Sequence, residues 1–202
     1  MQWYYAFRLL KASFYLDIGS LSDTGALDNI RAIQNVANTR GDTALSVLAS
    51  LIEGFTLLKT TKDGNMEKIQ ACIAQVAKYQ FDPSVQITQL TMLTLLLEVA
   101  ASLHHQNPDH TAQKLRQLQV CLDDCEGWHN VKSDFLVPIK KETSAARTVS
   151  DDTQAILRLG EGEGEMDYLV MTFMTKMELR SLVYVLLHLY LWPQNHRQKA
   201  NN

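Results

Sequence analysis

The residues of this chain that could do chemistry are few, and each has a plainer reading beside it. Cys121, Cys125 and His129 follow one another at four-residue steps, so on one continuous helix they would face the same way. His104, His105 or His110 could then complete a zinc site. Gly127 predicts a break in that helix before His129, and no second pair of short-spaced cysteines exists. Small-residue packing accounts for both cysteines, so no metal is expected. The run Gly160-Glu161-Gly162-Glu163-Gly164 has the glycines of a phosphate loop, but its glutamates would repel phosphate. It reads as an acidic linker with no strand before it. Asp123-Asp124 and Asp151-Asp152 are neighbours in sequence rather than carboxylates set across a cleft, so they read as solvated. No serine sits in a glycine elbow, and His188 stands alone in an aliphatic stretch. Catalytic residues and cofactors are therefore expected to be none, and the chain is not read as an enzyme.

The elements that hold these residues are helices. From Asp42, an N-cap type, Leu45, Leu48, Ala49, Ile52 and Phe55 recur at three- and four-residue steps as far as about Leu58. Thr60 to Gly64 is a polar turn, and Asn65 can cap a second helix carrying Ile69, Cys72, Ile73, Val76 and Ala77. One such hairpin cannot cover its own apolar faces. The chain repeats it. Gln2 to Asp17 carries the stripe Trp3, Phe7, Leu10 and Phe14, and Ser22 to Thr39 buries Leu27, Ile30, Ile33 and Ala37. Phe14-Tyr15-Leu16 falls where Phe55-Thr56-Leu57 falls, roughly 40 residues on. Asp82-Pro83 opens a third hairpin, with Ile87, Leu90, Leu93, Leu97 and Ala101 on its first helix. Asn107-Pro108 opens the partner, whose Ala112, Leu115, Leu118 and Leu122 repeat the helical step.

These spacings predict an all-α chain of TPR-like stacked antiparallel hairpins forming a right-handed superhelix. Residues 1–202 are read as a single helical-repeat segment of a longer protein. Its hairpins fall at about 2–40, 42–80 and 83–126, followed by a long loop at about 127–165 and a helix at about 175–192. Thr175 and Glu178 make a capping box for that last helix, and Pro193 is expected to stop it. The apolar run Leu182 to Trp192 is about half the roughly 20 residues that a membrane span requires. The charge is nearly balanced, 19 basic against 22 acidic residues, so a surface built to neutralise phosphates is not expected. Three cysteines, an odd number, fit a reducing compartment.

Stacked hairpins line a groove with the first helix of each pair, and such grooves hold extended or helical segments of other chains. On that reading Lys11, Ser50, Glu53, Thr94 and Glu98 are the candidate partner contacts. A generic TPR-type adaptor in another multiprotein complex is the competing reading.

Three stretches carry a closer resemblance: Phe7-Arg8-Leu9-Leu10-Lys11, Arg40-Gly41-Asp42-Thr43-Ala44-Leu45, and Leu115-Arg116-Gln117-Leu118-Gln119-Val120-Cys121-Leu122. With the last helix and its lead-in, Phe173-Met174-Thr175-Lys176-Met177-Glu178, they resemble the central part of the cohesin-loading factor family, in a fungal form. This is the small, TPR-rich subunit of the cohesin loader. The resemblance implies an internal fragment of a nuclear, non-enzymatic protein. It also implies that the helical array encloses the extended N-terminal segment of the large HEAT-repeat loader subunit. Cohesin and chromatin are then indirect partners, through loading of the ring and sister chromatid cohesion, with no direct nucleic-acid contact and no membrane. No residue of a family motif can be carried over.

Overall fold

The computed structural model describes residues 1–17, 24–59, 64–125, 128, 133–141, 153–160 and 166–200, with side chains as far as 191. Seven α-helices dominate these residues: α1 (Gln2–Asp17), α2 (Thr24–Arg40), α3 (Thr43–Lys59), α4 (Asn65–Ala77), α5 (Thr88–His104), α6 (Pro108–Asp124) and α7 (Lys176–Ala200). Three strands lie between α6 and α7: β1 (Asp134–Ile139), β2 (Leu157–Arg158) and β3 (Asp167–Thr172). Adjacent helices pack on each other, α1 on α2, α2 on α3 and α3 on α4. The chain is thus mostly helical and repeated, as its spacing predicts. The repeat is regular in the first two hairpins: Gln2 and Thr43 begin α1 and α3, Thr24 and Asn65 begin α2 and α4, and each pair is 41 residues apart.

The helix ends follow from local chemistry. Gly41, at φ 73°, closes α2. Its amide donates to Asn38 O at 3.3 Å and the Asp42 amide to Ala37 O at 2.9 Å, the paired bonds of a Schellman ending. Asn107 caps α6 by accepting from the His110 amide, with Pro108 in the first helical position. The capping box of α7 is formed: the Thr175 amide donates to Glu178 Oε2 at 2.7 Å, and the Glu178 amide donates to Thr175 Oγ1 at 3.3 Å. The bonds that the Thr175 amide and hydroxyl donate to the Glu178 carboxylate hold its pKa below the ordinary range.

Several expectations need correction. Asn65 does not cap α4. It is the first helical residue, behind Gly64 at φ 82°, and its side chain donates to Leu57 O near the end of α3. Asp82 caps not α5 but a 3-10 turn, Pro83–Val85, through bonds from the Ser84 amide and hydroxyl at 2.9 and 2.7 Å. These bonds lower the Asp82 carboxyl pKa. Helix α7 runs through Pro193 to Ala200, since a proline removes one amide donor and strains the turn before it without always ending the helix.

The largest difference lies in 127–165, read as loop. Among its described residues are β1 and β2, which join β3 in the order β1-β3-β2. Strand β2 pairs antiparallel with β3, Leu157 opposite Leu169. Phe135, Val137 and Ile139 of β1 are buried at alternate positions, and β1 packs on α3. Pro138 is tolerated because β1 is an edge strand. A short strand also precedes Gly160, contrary to expectation, although the glutamates after it still argue against phosphate.

The chain forms two compact units. The first is Met1–Leu90 with Asp134–Met171, and the second is Thr91–Ser133 with Thr172–Asn202. In the first, α3 is its centre: Ala44, Leu45, Leu51 and Ser50 are fully buried, enclosed by α2, α4, β1 and the 3-10 turn. In the second, Leu115, Leu118 and Leu122 of α6 and Leu179 and Val183 of α7 form the core.

Candidate partner-binding surface

The first unit is tied together by two buried carboxylates. Asp42 is 2% exposed and occupies the N-cap position of α3, its carbonyl accepting from the Ser46 amide. Its carboxylate is used elsewhere. It accepts from Tyr5 Oη at 2.8 Å, from the Lys140 amide at 2.7 Å and from Arg40 Nε at 3.1 Å. One acid therefore joins α1, the end of α2 and the residue after β1. Burial, and then the bond to Asp42, push the Tyr5 phenol well above its ordinary pKa. Asp167 on β3 is also fully buried and accepts from Gln2 Nε2 and from the Gly160 amide. Sequence reasoning read Asp42 as an ordinary cap and did not single out Asp167. The available signal for Asp42 was Tyr5 in α1, whose hydroxyl needs an acceptor once buried.

These bonds fix how α1 is turned, and they leave its most hydrophobic stripe on the outside. Tyr5 and Ala12 face inward at 1% and 3% exposure, and Arg8 Nη1 donates to Asn29 on α2. The four bulky residues at steps of four, three and four are left outside: Trp3 at 37%, Phe7 at 63%, Leu10 at 67% and Phe14 at 61%. Trp3 and Phe7 contact each other with ring centres 6.0 Å apart. Lys11 lies beside this stripe, exposed, its Nζ 6.0 Å from the Tyr15 ring.

The other candidate contacts divide between the units. Ser50 is fully buried, donates to Ser46 O and accepts from Gln34 Nε2 at 2.7 Å. Glu53 is 8% exposed and pairs with Arg31 at 2.8 Å. Both are polar contacts within the fold, holding α2 on α3. In the second unit Thr94 is half-buried, and Glu98 pairs with Lys114 on α6 at 2.8 Å. Lys11 alone of the five stands on an exposed face.

In the second unit Thr111 donates to Ser102 at 3.0 Å, and Arg180 on α7 pairs with Asp123 on α6 at 3.1 Å. Cys121 is half-buried on α6, where burial and the nearby Cys125 raise its thiol pKa. Cys125 ends the helix, and His129 lies outside the described residues. Among the described residues no three His, Cys, Asp or Glu side chains are grouped to hold a metal. Trp128 stacks on Phe173 at 5.7 Å between ring centres, and its buried indole N–H meets no acceptor among the described residues. Phe173, Met174, Glu178 and Leu182 line a shallow open depression. Along α7, Met177, Tyr184, Val185, Leu189 and Leu191 are exposed.

What the surface offers is apolar area on helices, the means of holding another chain. Compared with known families, the chain matches the one described as cohesin loading factor over residues 1–202. The chain belongs to that family. No curated protein and no solved structure matches it. As a cohesin loading factor it has a role in loading cohesin and an association with the cohesin-loading complex. The family is one of loaders and is not a known enzyme family, and its role is tied to chromatin. Among the described residues no helix is long and apolar enough to cross a membrane.

Proposed function

We propose that this cohesin loading factor is a non-enzymatic nuclear scaffold that grips the extended N-terminal segment of the large HEAT-repeat loader subunit. Through that grip the pair delivers cohesin to chromatin. The observation that supports this reading is the outward stripe of α1, where Trp3, Phe7, Leu10 and Phe14 remain 37% to 67% exposed. A contiguous apolar patch of this kind is the usual mark of a protein interface. The same helix has a polar side chain available beside the stripe, Lys11, to fix register at the rim.

The test is coexpression of this chain with the N-terminal segment of the large subunit, followed by gel filtration. Co-elution in equal amounts is the expected result, and it should survive raised salt, because apolar burial is not screened as surface ion pairs are. Elution of the two chains apart overturns the reading and favours a generic TPR-type adaptor.

A further inference from the structure

Helix α1 carries two apolar stripes, and each steps by four, three and four residues. Trp3, Phe7, Leu10 and Phe14 make one, and Tyr5, Leu9, Ala12 and Leu16 make the other. The second is the first moved on by two residues, which at about 100° per residue puts the two on opposite sides of the helix. Tyr5 and Ala12 are buried and Leu9 and Leu16 half-buried, while all four residues of the other stripe stand outside. Apolar area alone favours the reverse, because the outer stripe has two phenylalanines, a tryptophan and a leucine against one aromatic ring, two leucines and an alanine. Polar bonds must therefore hold the helix in this position.

Most of those bonds lead to the strands. Tyr5 donates to one oxygen of Asp42, and the other oxygen accepts from the Lys140 amide, directly after β1. Lys140 is itself locked to the end of α2: its Nζ donates to Arg40 O at 2.9 Å, and Arg40 Nη2 donates to Lys140 O at 3.1 Å. At the start of the helix Gln2 donates to Asp167, the fully buried first residue of β3, which also accepts from the Gly160 amide after β2. Arg8 adds a bond to Asn29 on α2. All of these groups belong to the first unit. The facing of α1 is thus set by residues about 100 and more positions away in the chain.

We propose that α1 is a two-position element, and that the sheet of β1, β3 and β2 is the catch that holds it with Trp3, Phe7, Leu10 and Phe14 outward. When the catch is released the helix turns about its axis and the larger stripe goes in. The sheet thereby governs whether the face assigned to the partner is presented, a step that rests on the proposed function.

The test is labelling of single introduced cysteines by a soluble maleimide in the full chain, read peptide by peptide with mass spectrometry. In the otherwise wild-type chain Leu10→Cys is expected to react fast and Ala12→Cys slowly, since these positions are 67% and 3% exposed. Asp167→Ala removes the acceptor on β3 and is expected to reverse the order: labelling slows roughly tenfold at position 10 and quickens roughly tenfold at position 12, while the buried Cys72 on α4 stays protected. Unchanged rates at both positions mean that the sheet is no catch, and raised rates at both mean that α1 frays rather than turns; either result overturns the proposal. Should Cys72 become reactive as well, the unit has unfolded, and Tyr5→Phe, which keeps the ring and removes only the hydroxyl, replaces Asp167→Ala. The reciprocal change in that background supports the proposal, and any other result overturns it. Coupling to the partner is read separately, as affinity for the N-terminal segment of the large HEAT-repeat subunit, with a loss of roughly tenfold expected in the released variant. Unchanged affinity overturns the coupling. A wild-type chain that does not bind overturns the proposed function, and the coupling with it, while the labelling still decides whether the sheet is the catch.

Discussion

A buried carboxylate is tolerated when every partner it needs is present, and Asp42 has its partners from three places in the chain. Removing the acid leaves the Tyr5 hydroxyl and the Lys140 amide without their acceptor, and such orphaned groups cost far more than the net worth of the bonds. Asp42→Ala is expected to destabilise the protein by about 3 kcal/mol, read as a loss in the midpoint of denaturant unfolding. Asp42→Asn keeps an acceptor for one of the donors and is expected to lose less. A midpoint unmoved by Asp42→Ala would show that these bonds do not hold the unit together. Cys72 on α4 gives a second check, through pH. Burial, and then the Glu53 carboxylate, push its thiol up to about 12 from an ordinary 9.0. A group whose pKa is raised by folding lends stability below its unfolded value and withdraws it as pH rises toward the folded one. Wild-type stability is therefore expected to fall between about pH 9 and 12 more steeply than that of Cys72→Ala. Parallel alkaline profiles for the two proteins would contradict this. Below pH 9.0 the Cys72 thiol should resist alkylation until the protein unfolds, because it is both buried and neutral.

At the level of elements, the ending of α5 carries a correctable flaw. Gln106 has φ 53°, the left-handed conformation of a helix ending, and its amide and that of Asn107 donate to Leu103 O and Ser102 O. The pattern repeats the Gly41 ending of α2, but with a side chain where glycine fits without strain. Gln106→Gly is expected to stabilise the protein by about 1 kcal/mol, read as a higher midpoint of denaturant unfolding; a lower midpoint would mean that the glutamine side chain makes a compensating contact. The same two endings show what was legible in sequence. Gly41, Asn107-Pro108 and the Thr175–Glu178 pair act within one turn of chain, so the helices could be placed from local chemistry. The sheet could not. In Asp134-Phe135-Leu136-Val137-Pro138-Ile139 the residues between the buried ones are also apolar, which hides the period of two, and proline argues against a strand unless an edge is known. The facing of α1 could not be read for a related reason. Its most hydrophobic stripe is real, but the side that turns inward is chosen by a tyrosine hydroxyl and a distant aspartate. Of the candidate contacts, Ser50 and Glu53 were polar residues on a buried face, and polarity alone could not tell a surface contact from a satisfied internal one.

For the whole molecule, charge decides how the chain can approach chromatin. There are 19 basic and 22 acidic residues, and four of the cations are paired with carboxylates of the chain: Arg31 with Glu53, Arg40 with Asp42, Lys114 with Glu98 and Arg180 with Asp123. Binding to duplex DNA draws its strength from releasing counterions as clustered lysines and arginines meet phosphates, and a nearly balanced set, part of it already paired with carboxylates, is poorly suited to this. Apolar residues, by contrast, are concentrated on an exposed helical face. On this account a cohesin loading factor is expected to reach chromatin through protein contacts rather than through phosphates. The purified chain is expected to leave a short duplex unshifted at micromolar concentration in about 0.15 M salt. A complex whose affinity fell steeply with added salt would reveal a phosphate-binding surface and overturn this account. Mixing in the large HEAT-repeat subunit should bring the chain onto the same DNA, and F7E/L10E should abolish that recruitment while leaving the large subunit bound.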